Sequence, residues 1–154
     1  MVIWLTGLSG AGKTTVGKHL YNLVRADYSN FVFVDGDEIR EVFGWVADDS
    51  FFTIDGRKKV AERISNLCIW LDQQDINVIC CTISLFPDLH RRNREMLSKL
   101  FEVYLDTPME ILEQRDNNGL YAKVRNKEIQ NVVGVDLAYT PPSDPDLTIT
   151  HADD

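Results

Sequence analysis

Five short and mainly apolar runs recur along the chain and predict buried β-strands. They contain three to five residues each, and most show no regular alternation between polar and apolar positions. Strands covered by helices on both faces have this continuous apolar character, which favours a parallel sheet. The runs span residues 2–5, 31–34, 78–81, 101–105 and 147–149.

Helical periodicity occupies the intervals between these runs. Val60, Ile64 and Leu71 hold the helical spacing in a segment that begins near Arg57. Further helices are predicted directly after residue 12 and over residues 89–99. Another is predicted from residue 107 to about 115, with Thr107 as the cap, Pro108 at the first helical position and Glu110 completing a capping box.

Strands that alternate with helices predict a three-layer α/β fold with a mainly parallel, five-stranded sheet. A chain of 154 residues is enough for one domain, so residues 1–154 are interpreted as a single unit. Residues 42–54 are irregular and predict a loop or short helix. The segment of about residues 116–145 is rich in Asn, Gly and charge, and predicts a lid over a binding site.

Charge and composition restrict the classes of partner. The net charge of −8 gives no global attraction for nucleic acid or an anionic membrane surface. No apolar stretch reaches the length of a membrane span, and the N-terminus reads as a core strand, so we expect a cytoplasmic protein. The three cysteines lack C-x-x-C spacing and indicate buried thiols. His19, His90 and His151 have no ligand-like spacing and receive no role.

A glycine-rich stretch lies between the first strand and the first helix. Residues 7–14 fit the phosphate-loop pattern G-x-x-x-x-G-K-[ST], in the strand–loop–helix setting in which that pattern binds a nucleoside triphosphate. Backbone N–H groups cradle the phosphates, Lys13 reaches the terminal phosphates, and the Thr14 hydroxyl ligates Mg²⁺. The predicted ATP-binding residues of this stretch are Gly7, Leu8, Ser9, Gly10, Ala11, Gly12, Lys13, Thr14 and Thr15.

Two carboxylates follow the second strand, at the edge where open α/β sheets bind ligands. Asp37 is predicted to orient or deprotonate an acceptor hydroxyl, and Asp35 to hold a metal-bound water. A plainer interpretation makes Asp37 a helix N-cap, but that leaves Asp35 and Gly36 unexplained. GTPase motifs are lacking, because Asp116 follows a helix and residues 126–129 lack the closing Asp. These features favour a small-molecule kinase.

The chain resembles the adenylylsulfate (APS) kinase family over nearly its whole length. The matching stretches are residues 4–10, Asp35-Gly36-Asp37 with Arg40, Ile83-Ser84, residues 103–108, 113–116 and 119–121, and Gly134-Val135-Asp136 with Tyr139 and Pro142. The resemblance implies a P-loop NTPase fold. It also implies transfer of the γ-phosphate of MgATP to the ribose 3′-hydroxyl of APS, giving PAPS, and a homodimer.

The resemblance also implies roles for single residues. Lys13, Asp37 and Lys123 would be catalytic, with Lys123 in the lid near the transferring phosphate, and Arg115 would lie near the ATP base. The implied acceptor-binding residues are Asp37, Arg40, Phe52, Arg57, Ile83, Ser84, Lys123 and Val132.

The chain departs from the family in the acceptor site. Val132 stands where a second stacking phenylalanine is usual, Val60 where an asparagine is usual, and Leu85-Phe86-Pro87 lacks the usual Pro-aromatic-Arg order. Three hypotheses remain: an APS kinase, a kinase of another nucleotide such as cytidine diphosphoramidate made for capsule sugars, and an ATP-binding module without turnover. The third predicts a degraded site, which the sequence does not show.

Overall fold

A parallel β-sheet forms the centre of the molecule. The computed structural model describes residues 1–84, 86–116 and 119–150. Its strands are β1 (Val2–Thr6), β2 (Phe31–Asp35), β3 (Asn77–Thr82), β4 (Leu100–Asp106) and β5 (Leu147–Thr150). They lie in the order β2-β3-β1-β4-β5, and every strand pairing among the described residues is parallel. The predicted five-stranded α/β fold is confirmed.

Helices cover both faces of this sheet and complete the three layers. They are α1 (Lys13–Val24), α2 (Gly36–Val42), α3 (Ile54–Asp72), α4 (Pro87–Met96), α5 (Met109–Gln114) and α6 (Leu120–Arg125), with a 3₁₀ segment at Asp49–Phe52. One apolar core joins Cys81 of β3 to Leu112 and Val124. The other joins Cys80 to α3. The adjacent cysteines therefore point to opposite faces, as predicted, and are free and buried.

Helix α4 ends three residues earlier than the sequence predicts. Met96 is its last residue, whereas the prediction placed the end at Lys99. Leu97 adopts an extended backbone (φ −83°, ψ 140°) and is buried, and the Ser98 amide donates to Asp72 at 2.7 Å. Burial of Leu97 and this hydrogen bond favour a turn over another helical residue.

The predicted capping box at α5 is wrong. Pro108 is the N-cap, and no side chain among the described residues caps the helix. Because Pro108 has an extended backbone (φ −57°, ψ 146°), the helix begins at Met109 and Thr107 lies one residue too early to cap it. Thr107 instead lines the cleft described below.

None of the helices in the described ranges is long and apolar enough to cross a lipid bilayer.

Gly56 gives a test of how α3 holds the 3₁₀ segment. A Cβ atom at this position would lie 1.9 Å from the Ser50 carbonyl oxygen and 2.6 Å from Phe51 Cα. We predict that Gly56→Ala lowers the free energy of unfolding by about 1–3 kcal/mol through overpacking, although alanine has the higher helix propensity. Urea denaturation measures the change. Lys59→Ala, at an exposed position of the same helix, is the control, and equal stability of the two variants would refute the close contact.

Candidate active site

A cleft of about 1390 Å³ opens at the edge of the sheet where the parallel strands end. Loops after β1, β2, β3 and β4 converge there, because all parallel strands carry their carboxyl ends to one edge. The cleft brings together most of the residues that the sequence singled out, namely Ser9, Gly10, Ala11, Gly12, Lys13, Thr14, Thr15, Asp35, Asp37, Arg40, Phe52, Arg57, Ile83, Ser84, Arg115 and Val132.

Three predicted site residues lie outside the lining of the cleft. Gly7 packs against β4, where a Cβ atom on Gly7 would lie 2.7 Å from the Leu105 carbonyl oxygen. Leu8 presents its carbonyl oxygen to Lys13. Lys123 is exposed on α6. The role of Lys123 near a transferring phosphate therefore stays a prediction.

The phosphate loop ends in the N-terminus of α1. Gly12 is the N-cap in a left-handed conformation (φ 94°), and no side chain caps the helix. The first-turn N–H groups of such a helix favour an anion. Lys13 Nζ donates to Leu8 O at 2.7 Å. Burial lowers the pKa of Lys13, and the charge of Asp37 opposes this shift. The loop is thus built to place a positive charge and amide donors at one point.

Asp35 joins this loop to the next element. Its carboxylate accepts a hydrogen bond from Thr14 Oγ1 at 2.6 Å and another from the Asp37 amide at 2.9 Å. The side chain is buried and caps α2. The N-cap is therefore Asp35, and the plainer interpretation of Asp37 as the capping residue is wrong. Asp37 is exposed in the first turn of α2 and lines the cleft.

Two arginines flank Phe52. The guanidinium carbons of Arg40 and Arg57 lie 5.2 Å and 5.8 Å from the centre of its ring. Arg57 donates to Phe52 O at 2.9 Å and to Asn131 O at 2.7 Å, which joins the 3₁₀ segment to the predicted lid. Burial lowers the pKa of Arg57, and the charge of Arg40 adds to that shift. Two cations are therefore held close together on the side of the cleft that follows β2.

The loop after β3 contains a polar cluster in which sequence predicted Ser84 but not its partners Trp4 and His90. Ser84 lines the cleft and accepts a hydrogen bond from Trp4 Nε1 at 2.7 Å. His90, which had received no role, contacts the Ser84 carbonyl oxygen. Leu85, part of the departure from the family pattern, lies outside the described residues. No local spacing joins positions 4, 84 and 90, although strand alternation places Trp4 and Thr6 on one face.

The order of the strands gives the cleft two ends. One end of the cleft lies beside the outer strand β2 and contains Asp37, Arg40 and Phe52. The other end lies beside β4 and β5 and contains Arg115, Ile149 and Thr150. The phosphate loop follows the central strand β1 and lies between them. A ligand on each side would meet the other at the phosphate loop. Such an arrangement suits the transfer of a phosphoryl group between two bound molecules.

A model of the adenylylsulphate kinase family matches residues 1–150. The chain belongs to this family. Its relatives include the cytidine diphosphoramidate kinase of Campylobacter jejuni subsp. jejuni serotype O:2, which is 42% identical over 98% of this chain and 86% of the relative. The adenylyl-sulfate kinase of Halothermothrix orenii is 37% identical over 97% of this chain and 79% of the relative.

The fold agrees with this assignment. The APS kinase of Mycobacterium tuberculosis, solved in complex with AMPPNP and APS, superposes with a TM-score of 0.85 at 30% sequence identity. The match covers 99% of this chain and 89% of that structure. Because these family members are kinases, the present chain is a phosphotransferase with a nucleotide-binding phosphate loop.

The family implies ATP with a divalent metal ion, and the residues present fit that group. Thr14 and Asp35 offer hard oxygen ligands, as magnesium prefers. No cluster of three or more His, Cys, Asp or Glu side chains suited to a metal occurs in the ranges that the structure describes. This donor set fits an ion held mainly by ATP phosphates and waters, with few protein ligands.

Substitutions at Asp35 separate its capping role from its predicted metal role. We expect Asp35→Asn to keep most of the stability, because asparagine caps helices about as well as aspartate. Asp35→Ala is expected to lose about 1 kcal/mol of unfolding free energy. Both are expected to weaken the Mg²⁺-dependent part of ATP binding by about tenfold or more. Titrating ATP with and without Mg²⁺ measures this. An unchanged Mg²⁺ effect in Asp35→Asn would exclude the metal role.

Proposed function

We propose that this protein transfers the γ-phosphate of ATP to the ribose 3′-hydroxyl of a nucleotide acceptor. The observation that carries the proposal is the order of groups along the cleft. The phosphate loop lies between an end with Arg115 and an end with Asp37, Arg40 and Arg57. ATP would occupy the first end, and the acceptor the second. A homodimer, which the family resemblance implies, stays a prediction.

The donor half would act through position and charge. The N-terminus of α1 and Lys13 would bind the β- and γ-phosphates, and Lys13 would stabilise charge that develops on the transferred group. Thr14 and Asp35 would hold Mg²⁺, directly and through a water. The ion would neutralise phosphate charge when bound. The Thr14–Asp35 distance of 2.6 Å supports a shared site for these two oxygens.

The nucleophile would be the ribose hydroxyl of the acceptor, bound beside Asp37. Asp37 would accept the proton of the ribose hydroxyl while that oxygen forms a bond to the γ-phosphorus. The bond between the γ-phosphorus and its bridging oxygen breaks, and ADP leaves. Asp37 is exposed to the cleft and accepts no hydrogen bond through its carboxylate from the described residues, which leaves it open to a ligand.

Arg40 and Arg57 would bind the anionic end of the acceptor. Their guanidinium groups repel each other, as the effect of Arg40 on the pKa of Arg57 indicates. An anion between them would offset this repulsion and form charge-assisted hydrogen bonds. A diphosphate, a phosphosulfate or a phosphoramidate would each satisfy this requirement. The arginine pair supports an anionic nucleotide over an uncharged alcohol.

Between the two candidate acceptors, we rank cytidine diphosphoramidate ahead of APS. Identity to the cytidine diphosphoramidate kinase is 42%, against 37% for the Halothermothrix orenii adenylyl-sulfate kinase. Val132 also lines the cleft, and the family resemblance implies a second phenylalanine, stacked on the acceptor adenine, at this position. Losing an aromatic stack removes about 0.5–1.5 kcal/mol of binding, which disfavours a large purine.

A panel of acceptors tests this proposal. ADP release is measured with MgATP and cytidine diphosphoramidate, CDP or APS, and the wild-type protein is expected to turn over the cytidine compound best. A 3′-deoxy analogue is expected to be inert, whereas the 2′-deoxy analogue keeps turnover. Turnover on APS alone would reverse the ranking of acceptors. ATP binding without turnover on any acceptor would favour the non-catalytic module.

Substitution of Asp37 tests its role as the base. Asp37→Asn is expected to lower kcat by about 10²–10⁴-fold, because the amide cannot take the proton. ATP affinity should change little. Glu38→Gln is the matched control, since Glu38 is the exposed neighbour in the same turn and pairs with Lys18. Loss of ATP binding with no separate effect on kcat would refute the assigned role.

Val132→Phe tests the missing aromatic ring. If its absence disfavours APS, this variant should raise kcat/KM for APS by about 3–10-fold, which corresponds to the free energy of one aromatic stack. Val132→Leu adds volume without a ring and is the control. An equal effect of the two substitutions, or an unchanged kcat/KM for APS in both, would refute this explanation.

A further inference from the structure

The backbone of Ser84 has an unusual conformation for a residue with a side chain. Its φ angle is +51°, in the left-handed region. This region is strained for an L-residue, and it persists where the surrounding structure fixes it. Ser84 lies at the acceptor side of the cleft, between β3 and α4. The contacts that hold it there therefore have a direct bearing on the acceptor.

Contacts from several elements converge on this turn. Trp4 Nε1 donates to Ser84 Oγ at 2.7 Å, and Thr82 Oγ1 lies 2.8 Å from the same oxygen. Thr6 Oγ1 donates to Ile83 O at 2.9 Å. His90 Nε2 lies 3.2 Å from the Ser84 carbonyl oxygen. The side chain is fixed by β1 and β3, whereas the carbonyl is fixed by α4.

His90 is held in place from its other side. Its Nδ1 contacts Glu102, a buried carboxylate on β4 that also accepts a hydrogen bond from Arg94 at 3.1 Å. Arg94 continues to Asp146, ahead of β5. Both ring nitrogens face oxygen atoms, and the imidazolium form can donate to the Ser84 carbonyl and the Glu102 carboxylate at once. Burial alone would lower the pKa of His90, but the hydrogen bond and charge of Glu102 outweigh it and raise the pKa.

Ser84 keeps one hydrogen bond for a ligand. A hydroxyl has one donor and two acceptor positions. Trp4 occupies one acceptor position and Thr82 engages either the donor or the second acceptor position. The third hydrogen-bonding position of the Ser84 hydroxyl is available to a group in the cleft. The direction in which this position points depends on the backbone conformation of Ser84.

We propose that His90 is a positioning residue of the acceptor site, holding the Ser84 backbone so that its hydroxyl meets the acceptor nucleotide. The inference rests on the proposed kinase function. His90 touches neither substrate in this arrangement and acts through Ser84. If His90 had only a structural role, it would be a hydrogen-bonded polar group of the interior. Its substitution would then lower stability without a separate effect on the KM of the acceptor.

Two substitutions at His90 distinguish these roles. Glutamine can place an amide N–H near the position of Nε2 and so keep the bond to Ser84. Asparagine reaches only as far as Nδ1 and keeps the bond to Glu102. His90→Asn is expected to raise the acceptor KM at least tenfold with little change in the ATP KM, and His90→Gln to restore most of that loss. His19→Gln, on the exposed surface of α1, is the control.

A parallel loss in both His90 variants, or an equal rise in the KM of ATP and acceptor, would overturn the proposal. A melting temperature measured for each variant separates unfolding from displacement. Failure of the kinase proposal itself would appear in the wild-type protein, as the absence of acceptor-dependent ADP release.

A readout that needs no turnover tests the contact between His90 and Ser84 even when acceptor-dependent ADP release is absent. The indole N–H of Trp4 donates to Ser84, so its NMR resonance reports on the turn. Trp4→Phe identifies that resonance by its disappearance. His90→Asn should shift it and speed its hydrogen exchange, whereas His90→Gln and His19→Gln should leave it near the wild-type position. An unmoved resonance in a folded His90→Asn protein would refute the coupling.

Discussion

The carboxylate of Asp35 is the interaction on which the arrangement of the cleft depends. It is buried at the end of β2, and it binds the Thr14 hydroxyl on one side and the first amides of α2 on the other. A buried carboxylate needs several donors to offset its loss of hydration. Here those donors come from two separate elements. The position of the phosphate loop and the position of Asp37 are therefore set by the same group.

The phosphate loop could be predicted from sequence because it is local. Residues 7–15 form one continuous stretch, and the conformations that they need are encoded by glycine at fixed spacing. The strands could be predicted equally well, since a strand buried on both faces has a continuous apolar sequence. Asp35 and Asp37 could be placed at the cleft because a strand ends there. Which of them caps α2 could not be predicted, because an aspartate uses the same carboxylate to cap a helix and to bind a ligand.

The side of the cleft proposed to bind the acceptor depends on contacts between residues far apart in the chain, and these contacts could not be predicted from sequence. Trp4 and Ser84 are separated by 80 positions, and Arg57 and Asn131 by 74. Neither pair has a spacing that marks it. His90 looked like an isolated histidine for the same reason. The resemblance to a family supplied Arg40, Phe52 and Arg57, but it gave no account of what holds Ser84, and it did not reveal that Lys123 is exposed on α6.

Arg57 connects two walls of the cleft. Its guanidinium group donates to the carbonyl of Phe52 and to that of Asn131, and it lies on the side of the cleft where the acceptor is proposed to bind. An anion bound through the N–H groups that hold these two carbonyls would compete with them. Linkage then requires reciprocity: if the anion weakens the hold on residues 131–133, a displaced segment must bind the anion more tightly by an equal factor. If the acceptor binds at Arg57 as proposed, its affinity and the position of residues 131–133 are linked by one equilibrium.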